Sequence, residues 1–288
     1  MRVLQRRATN AVDVWDDGRY LRLFELSGGL ALVAVRDHGM VARPHLGLTI
    51  EAGGDSTAAY NEACALLRRT LGLDVDPAPL RRRAESIVAS RAACRALRGM
   101  RPPRFATLFE AFASVIPFQQ LSLDAGTAIV ARLVMRFGGK LTHEDRRFHA
   151  FPTARRIARA RLDSLRACGL SRSKALTLRV IARAMEAGEL DEAGLARAST
   201  DAALARLLEL PGIGPWSAGL VLLRGLGRLD VFPPGDVGAA RNLRTLMHLD
   251  PHAPLAPVIE RFGNQRGYLY FCALGAALLR SGLIHPAP

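Results

Sequence analysis

Leu210-Pro211-Gly212-Ile213-Gly214-Pro215-Trp216-Ser217-Ala218 decides the reading of this chain, together with Asp230-Val231-Phe232-Pro233-Pro234-Gly235-Asp236 just downstream. Leu204, Leu207 and Leu208 recur at helical spacing ahead of it, with Thr200 as the expected cap. Two glycines then impose a tight turn, and Pro215 suits the first turn of a second apolar helix that runs to Leu223. Such a hairpin presents successive backbone N–H groups at a helix start, where an anion such as a phosphate binds. Asp236 follows Gly214 by 22 positions and stands behind a Pro-Pro-Gly stop, at the expected start of another helix. A phosphate grip with one carboxylate held nearby points to chemistry on a nucleic acid.

Pro-Gly-Ile-Gly alone is equally the mark of an ordinary αα-hairpin, because tight helix connections need glycine anyway. A dinucleotide-binding loop fits less well: Ser217 stands where the third glycine belongs, and a helix rather than a strand precedes the turn. The hairpin, Trp216 and the spaced Val-Phe-Pro-Pro-Gly-Asp are more specific together than apart. As a set they resemble the helix–hairpin–helix and Gly/Pro…Asp signature of the DNA glycosylase superfamily, and within it the bacterial 3-methyladenine DNA glycosylase II (AlkA) type.

The resemblance covers nearly the whole chain and is strongest over 105–140 and 200–245. It implies a mainly α fold with an N-terminal α+β domain: a small sheet-and-helix unit like half of a TATA-binding protein over 1–90, then a helix–hairpin–helix glycosylase domain of two helical lobes over 91–288. The residues alone give a compatible outline. Tyr20–Leu26 and Leu30–Val35 are strand-like and joined across Ser27-Gly28-Gly29, a third strand is expected over Val41 to Ile50, and a helix over Ser56 to Thr70 ends at a capping Gly72. From about 91 onward the pattern is helical, with expected helices over Phe105–Ile116, Leu121–Phe137, Thr153–Ala160, Arg172–Ala187, Asp201–Glu209, Pro215–Leu223, Val237–Leu249 and Gly267–Leu279.

With 288 residues the chain can build two or three compact lobes. Its net charge of +14 favours a polyanionic partner, but only Lys140 and Lys174 among forty basic residues are lysines, so an arginine bias contributes too. Cys64, Cys94, Cys168 and Cys272 are scattered without metal or redox spacing, which fits a reducing cytoplasm. Their spacing also excludes the branch of the resembled superfamily that carries an iron–sulfur cluster. The seven histidines, from His38 to His285, show no metal-ligand pattern, and no apolar run has membrane-spanning length. We expect a cytoplasmic, nucleoid-associated monomer whose partner is double-stranded DNA carrying damaged bases.

Asp236 behind its Pro/Gly turn is a favoured helix N-cap, and a carboxylate there stays ionised. By resemblance it is also the catalytic aspartate, stabilising the positive charge that develops at a sugar C1′. Asp230 reads as structural. Trp216 takes the position at which bifunctional relatives carry a lysine nucleophile, which implies one-step hydrolysis without strand nicking. It serves either as a core anchor or as the wall on which an extruded cationic base stacks. In Phe118-Gln119-Gln120-Leu121, the resemblance makes Leu121 an apolar wedge beside Gln120; the alternative is a core residue of its helix.

The chain departs from the family in its aromatic cleft. Leu220 stands at a family tyrosine and Gln265 near a family tryptophan, leaving Tyr268 and Tyr270 as the nearby rings and Phe118 as a replacement. Gly212, Ile213, Gly214 and Pro215 are the expected phosphate grip, with Arg241 and Arg244 on the helix led by Asp236; the stretches around Arg81 and Arg155 read as solvated faces. The resemblance further implies a Na+ or K+ ion on the carbonyls of Leu208, Leu210 and Ile213, and no other cofactor. The reading is a monofunctional glycosylase for alkylated, 3-methyladenine-like bases. A non-catalytic DNA-binding protein and a glycosylase for deaminated or oxidised bases remain the alternatives.

Overall fold

The computed structural model describes residues 4, 10–40, 43 and 45–284. Val41, where the third strand was expected to begin, and His285 lie outside them. Strands β1 (Val14–Asp16), β2 (Arg19–Leu26), β3 (Gly29–Asp37) and β4 (Leu46–Gly53) form an antiparallel meander in sequence order. The register pairs Leu26 with Gly29, so Ser27 and Gly28 close the β2–β3 turn. Side chains alternate between two faces, and both faces are covered. Tyr20, Phe24, Ala31, Val33 and Val35 pack on Ala59, Ala63 and Leu67 of helix α1 (Thr57–Leu71), whereas Leu21, Leu23, Leu32 and Ala34 pack on Phe148 and Ala150 further along the chain. Helix α1 is closed by the Ser56 hydroxyl, which accepts from Ala59 N, and by left-handed Gly72.

Helices α2 (Pro77–Ile87) and α3 (Arg91–Ala96) lead to α4 (Leu108–Val115). Leu80, Ala84 and Val88 share a core with Leu243, Phe262 and Tyr268, so this segment packs with the C-terminal helices rather than with the sheet. Helix α4 is apolar nearly all round and buried accordingly, with Leu108, Phe109, Ala111, Phe112 and Val115 all in the larger core. A 3-10 turn (Ile116–Phe118) precedes α5 (Leu123–Phe137). Helix α5 begins two residues later than its sequence pattern indicated, because the Ser122 hydroxyl accepts from Ala125 N and fixes the start. The hairpin β5 (Lys140–His143) and β6 (Arg146–His149) was not anticipated. Its turn residues, Glu144 and Asp145, adopt positive φ of 47° and 57° without the glycine that announces such turns.

The helical body continues through α6 (Ala154–Ala158), α7 (Leu162–Arg166), α8 (Arg172–Glu186), α9 (Glu192–Arg197), α10 (Thr200–Leu208) and α11 (Pro215–Leu220), the last running into a π-helical turn (Val221–Leu226). Ser199, not Thr200, caps α10; the Thr200 hydroxyl instead donates to Asp230 Oδ2 at 2.6 Å, which gives Asp230 a structural contact. The chain ends in α12 (Val237–Leu246), three residues shorter than the pattern suggested, α13 (Ala256–Arg261) and α14 (Arg266–Arg280).

Several arginines donate to main-chain carbonyls of distant segments. Arg69 Nε donates to Phe105 O at 2.8 Å and its Nη2 to Gly225 O at 2.6 Å, tying α1 to the helical body. Gly225 O also receives Arg104 Nη2 at 2.7 Å, and Arg132 Nε donates to Cys168 O at 2.7 Å. Burial lowers the Arg104 guanidinium to about 10, with Arg69 adding to the effect.

Candidate active site

The turn between α10 and α11 is built by its glycines. Ile213 N donates to Leu210 O, and buried Ile213 anchors the loop in the larger core. Gly212 has φ of 77°, and a Cβ there would lie 2.2 Å from Thr177 Oγ1. Gly214, the N-cap of α11, has ordinary φ of −97° and open space around it. Pro215 follows at the first helical position, and among the described residues no side chain caps this helix start. The first turn of a helix leaves backbone N–H groups free, with a positive end of the helix dipole behind them.

Asp236 is the N-cap of α12: its Oδ1 accepts from Ala239 N at 2.7 Å. Its Oδ2 accepts from Trp216 Nε1 at 3.1 Å. Helix α11 comes close enough for this because Gly219 packs on the Pro233–Pro234 segment, where a Cβ would lie 3.0 Å from Pro233 Cα. Trp216 and Asp236 both line a cleft of about 410 Å³, with Phe118, Leu121, Leu220 and Tyr270. Tyr270 is held edge-on against Phe232, with ring centroids 6.1 Å apart.

Two residues expected in the cleft are elsewhere. Tyr268 is core: it is 2 % exposed, its hydroxyl donates to Met100 O at 3.2 Å, and burial pushes its phenol well up. Gln265 lies in a 3-10 turn (Gly263–Gln265) ahead of α14, off the cleft wall. Residues 268 and 270 differ by two positions, which on a helix turns them to opposite sides. Arg241 is exposed and borders the cleft, whereas Arg244 Nε is turned onto Ala253 O at 3.0 Å.

The segment before α5 forms a lip of the cleft. Leu121 lies outside the helix and is 45 % exposed, which is inconsistent with a core role. Gln120 beside it has φ of 55°, an uncommon conformation for a residue with a Cβ. Gln119 Nε2 donates both to Gly212 O and to Ser217 Oγ, each at 2.9 Å. Lys174, half-buried on α8, donates from Nζ to Pro117 O at 3.2 Å and to Gln119 O at 2.5 Å, and burial lowers its ammonium from the usual value. Neither set of contacts was legible in the sequence, since both join residues more than fifty positions apart.

The inner wall of the cleft is ionic. Arg22 on β2 places Nη2 2.5 Å from Glu110 Oε2 on α4 and Nη1 3.0 Å from Asp13 Oδ1, which also accepts from Tyr20 Oη. Burial pushes the Glu110 carboxyl up, and Arg22 opposes it; for Arg22, burial is outweighed by Glu110 and Asp13, which hold the guanidinium well above its ordinary value.

The family profile described as HhH-GPD superfamily base excision DNA repair protein matches residues 113–261, just over half of the chain. The chain belongs to this superfamily. A second profile, the AlkA N-terminal domain, matches residues 1–107. Among superfamily relatives, a DNA-3-methyladenine glycosylase of Bacillus subtilis is 29 % identical over 188 residues, 65 % of this chain and 62 % of its own. DNA-3-methyladenine glycosylase 2 of Escherichia coli is 29 % identical over 234 residues, 81 % of this chain and 78 % of its own. The chain thus spans a little under two thirds of the B. subtilis relative. The solved structure of the 3-methyladenine DNA-glycosylase from Archaeoglobus fulgidus superposes with a TM-score of 0.78 at 25 % identity, covering 97 % of this chain and 94 % of that one.

A monovalent cation in such a hairpin requires neutral oxygen donors, which backbone carbonyls supply. Leu208, Leu210 and Ile213 carry them here; the Leu210 oxygen accepts Ile213 N–H and keeps a second lone pair. Among the described residues no group of three or more His, Cys, Asp or Glu is placed to hold a metal, and no helix is long and apolar enough to cross a membrane.

Proposed function

We propose that this chain is a monofunctional DNA glycosylase that extrudes an alkylated, 3-methyladenine-like base from duplex DNA and hydrolyses its N-glycosidic bond. The observation that carries this reading is the Trp216–Asp236 hydrogen bond at the wall of a cleft that exposed Leu121 also lines. The hairpin at Gly212–Pro215 grips a backbone phosphate through α11 N–H groups; the carbonyls of Leu208, Leu210 and Ile213 would hold a monovalent cation, which would add positive charge there. Arg241 at the cleft border adds a phosphate contact, and Gln120 places Leu121 in the gap left by the extruded base.

The extruded base stacks on Trp216, whose electron-rich face attracts a cationic ring, with Phe118, Leu220 and Tyr270 closing the cleft around it. The Asp236 carboxylate then faces C1′. As the glycosidic bond breaks, its electron pair leaves with the base and neutralises the positive charge there, so no general acid is required. Asp236 stabilises the oxocarbenium-like sugar; water adds to C1′ and its proton passes to solvent or to the carboxylate. The chemistry stops at an abasic strand, because Trp216 offers no amine and Lys174 is engaged by the Pro117 and Gln119 carbonyls, away from the cleft wall.

Single-turnover assays on methylated duplex DNA, with products identified by mass, test this directly. The expected products are free 3-methyladenine and an intact strand that breaks only in alkali. Duplex binding with no base released would establish the non-catalytic alternative, and release confined to deaminated or oxidised bases would reassign the substrate. A borohydride-trapped protein–DNA adduct would overturn the monofunctional assignment.

A further inference from the structure

We propose that Gln119 is a positioning residue that couples the hairpin's grip on the DNA backbone to the insertion of Leu121, an inference that rests on the functional reading above. The side-chain amide of Gln119 spends both of its hydrogens on the hairpin, one on Gly212 O and one on Ser217 Oγ. Ser217 is 2 % exposed and sits in the first turn of α11, so the second bond is fixed at a rigid point. From Gln119 the wedge is two residues away, and Leu121 N closes a turn by donating to Phe118 O at 3.2 Å. The left-handed Gln120 between them leaves little slack in the backbone.

Helix α8 stands behind both parts as a common support. Lys174 Nζ holds the Pro117 and Gln119 carbonyls, and Thr177, one turn further along the same face, closes against Gly212. The lip that carries the wedge and the loop that grips the phosphate are therefore braced from one helix and cross-linked by one side chain. A hairpin seated on a phosphate fixes where Leu121 stands relative to the duplex. Without the cross-link both parts persist, but their spacing is free to vary. Small misplacements of this kind cost about a hundredfold in rate when they reach the reacting geometry.

The test compares Gln119→Ala, Gln119→Glu and Leu121→Ala with their double variants. Single-turnover base release is measured from duplex and from single-stranded DNA carrying the same lesion, and folding is checked by thermal melting. In parallel, a duplex holding a tetrahydrofuran abasic analogue beside 2-aminopurine reports unstacking by fluorescence, without any chemistry. Gln119→Ala is expected to lose about ten- to a hundredfold on duplex, to stay near the wild-type rate on single strands, and to bind the duplex with nearly wild-type affinity but a diminished fluorescence rise. Combined with Leu121→Ala it should add no further loss, since both variants remove one device. Gln119→Glu, which cannot donate, should behave like alanine. Equal losses on both substrates, additive losses in the double variant, or an undiminished fluorescence rise would overturn the coupling. Wild-type protein that releases no base from either substrate would instead remove the glycosylase reading, and the fluorescence arm would still decide the coupling.

Discussion

Trp216 Nε1 donates to Asp236 Oδ2 across 3.1 Å, while the other carboxylate oxygen of Asp236 receives Ala239 N–H at 2.7 Å. The aromatic wall and the carboxylate are thereby held in one geometry, and the start of α12 depends on the same side chain. Asp236→Asn keeps the cap and removes the charge. The single amide oxygen of asparagine can still accept from Ala239 N–H, but its NH2 cannot accept from Trp216 Nε1, so the Trp216 bond is lost together with the charge at the sugar. The variant's melting temperature should change little, while single-turnover base release should fall by about 10²–10³. A variant retaining half the wild-type rate would remove Asp236 from the chemistry.

Leu121→Ala should leave thermal stability unchanged, because the side chain is 45 % exposed in the free protein. Base release from duplex should fall more than release from a single strand bearing the same lesion. Filling the gap of a flipped base matters only where stacking, worth a few kcal/mol per step, has been lost. Equal falls on the two substrates would contradict the wedge.

Gly212 and Gly214 should respond differently to substitution. Gly212→Ala forces a Cβ to within 2.2 Å of Thr177 Oγ1 at a positive φ and should cost stability, by about 1–3 kcal/mol for the backbone conformation alone. No described residue crowds a Cβ at Gly214, so Gly214→Val should fold normally and melt close to wild type. If the hairpin seats a phosphate, that variant should still bind every duplex more weakly, whatever its sequence, in a titration at fixed salt. Unchanged affinity would show that the backbone of the DNA does not approach there.

Arg22→Met leaves Glu110 as an uncompensated buried carboxyl and should destabilise the protein by roughly 3–5 kcal/mol. The loss should also depend on pH. Burial already raises Glu110 above the ordinary carboxylate value of 4.5, and removing Arg22 takes away what opposes that rise. A carboxyl raised on folding contributes its stability below the unfolded pKa and loses it as pH increases through the folded pKa. The variant should therefore weaken as pH rises above about 4.5 toward neutrality, and Glu110→Gln in the same background should flatten the dependence. Denaturant melts across that range would check both.

Local backbone chemistry explains what was legible in the sequence. Glycine, proline and aspartate dictate turns and caps within a few residues, so the α10–α11 hairpin, the Asp236 cap and the Gly72 terminus could all be read directly. The β2–β3 hairpin was legible because two apolar, strand-like runs flank the turn signal Ser27-Gly28-Gly29. The β5–β6 hairpin was not, because Glu144 and Asp145 turn without glycine. Tyr268 and Tyr270 were indistinguishable for another reason: α14 is apolar on more than one side, and periodicity cannot say which side faces a core and which a cleft. Ser199 and Thr200 are both capable caps, and only the partner at Asp230 separates them. The contacts of Gln119 and Lys174 depend on tertiary proximity, which no spacing announces.

The inward arginines bear on how affinity for DNA should vary with salt. Arg69 and Arg104 count toward the formal +14, yet their guanidinium groups are committed to main-chain carbonyls within the protein. Counterions are displaced from a duplex only where a cation meets a phosphate, about 0.9 per contact on B-form DNA. The slope of log affinity against log salt is thus set by the cations that meet phosphates and not by the formal charge. Two chains with this same composition, one turning its arginines inward and one outward, would share an isoelectric point and differ in that slope.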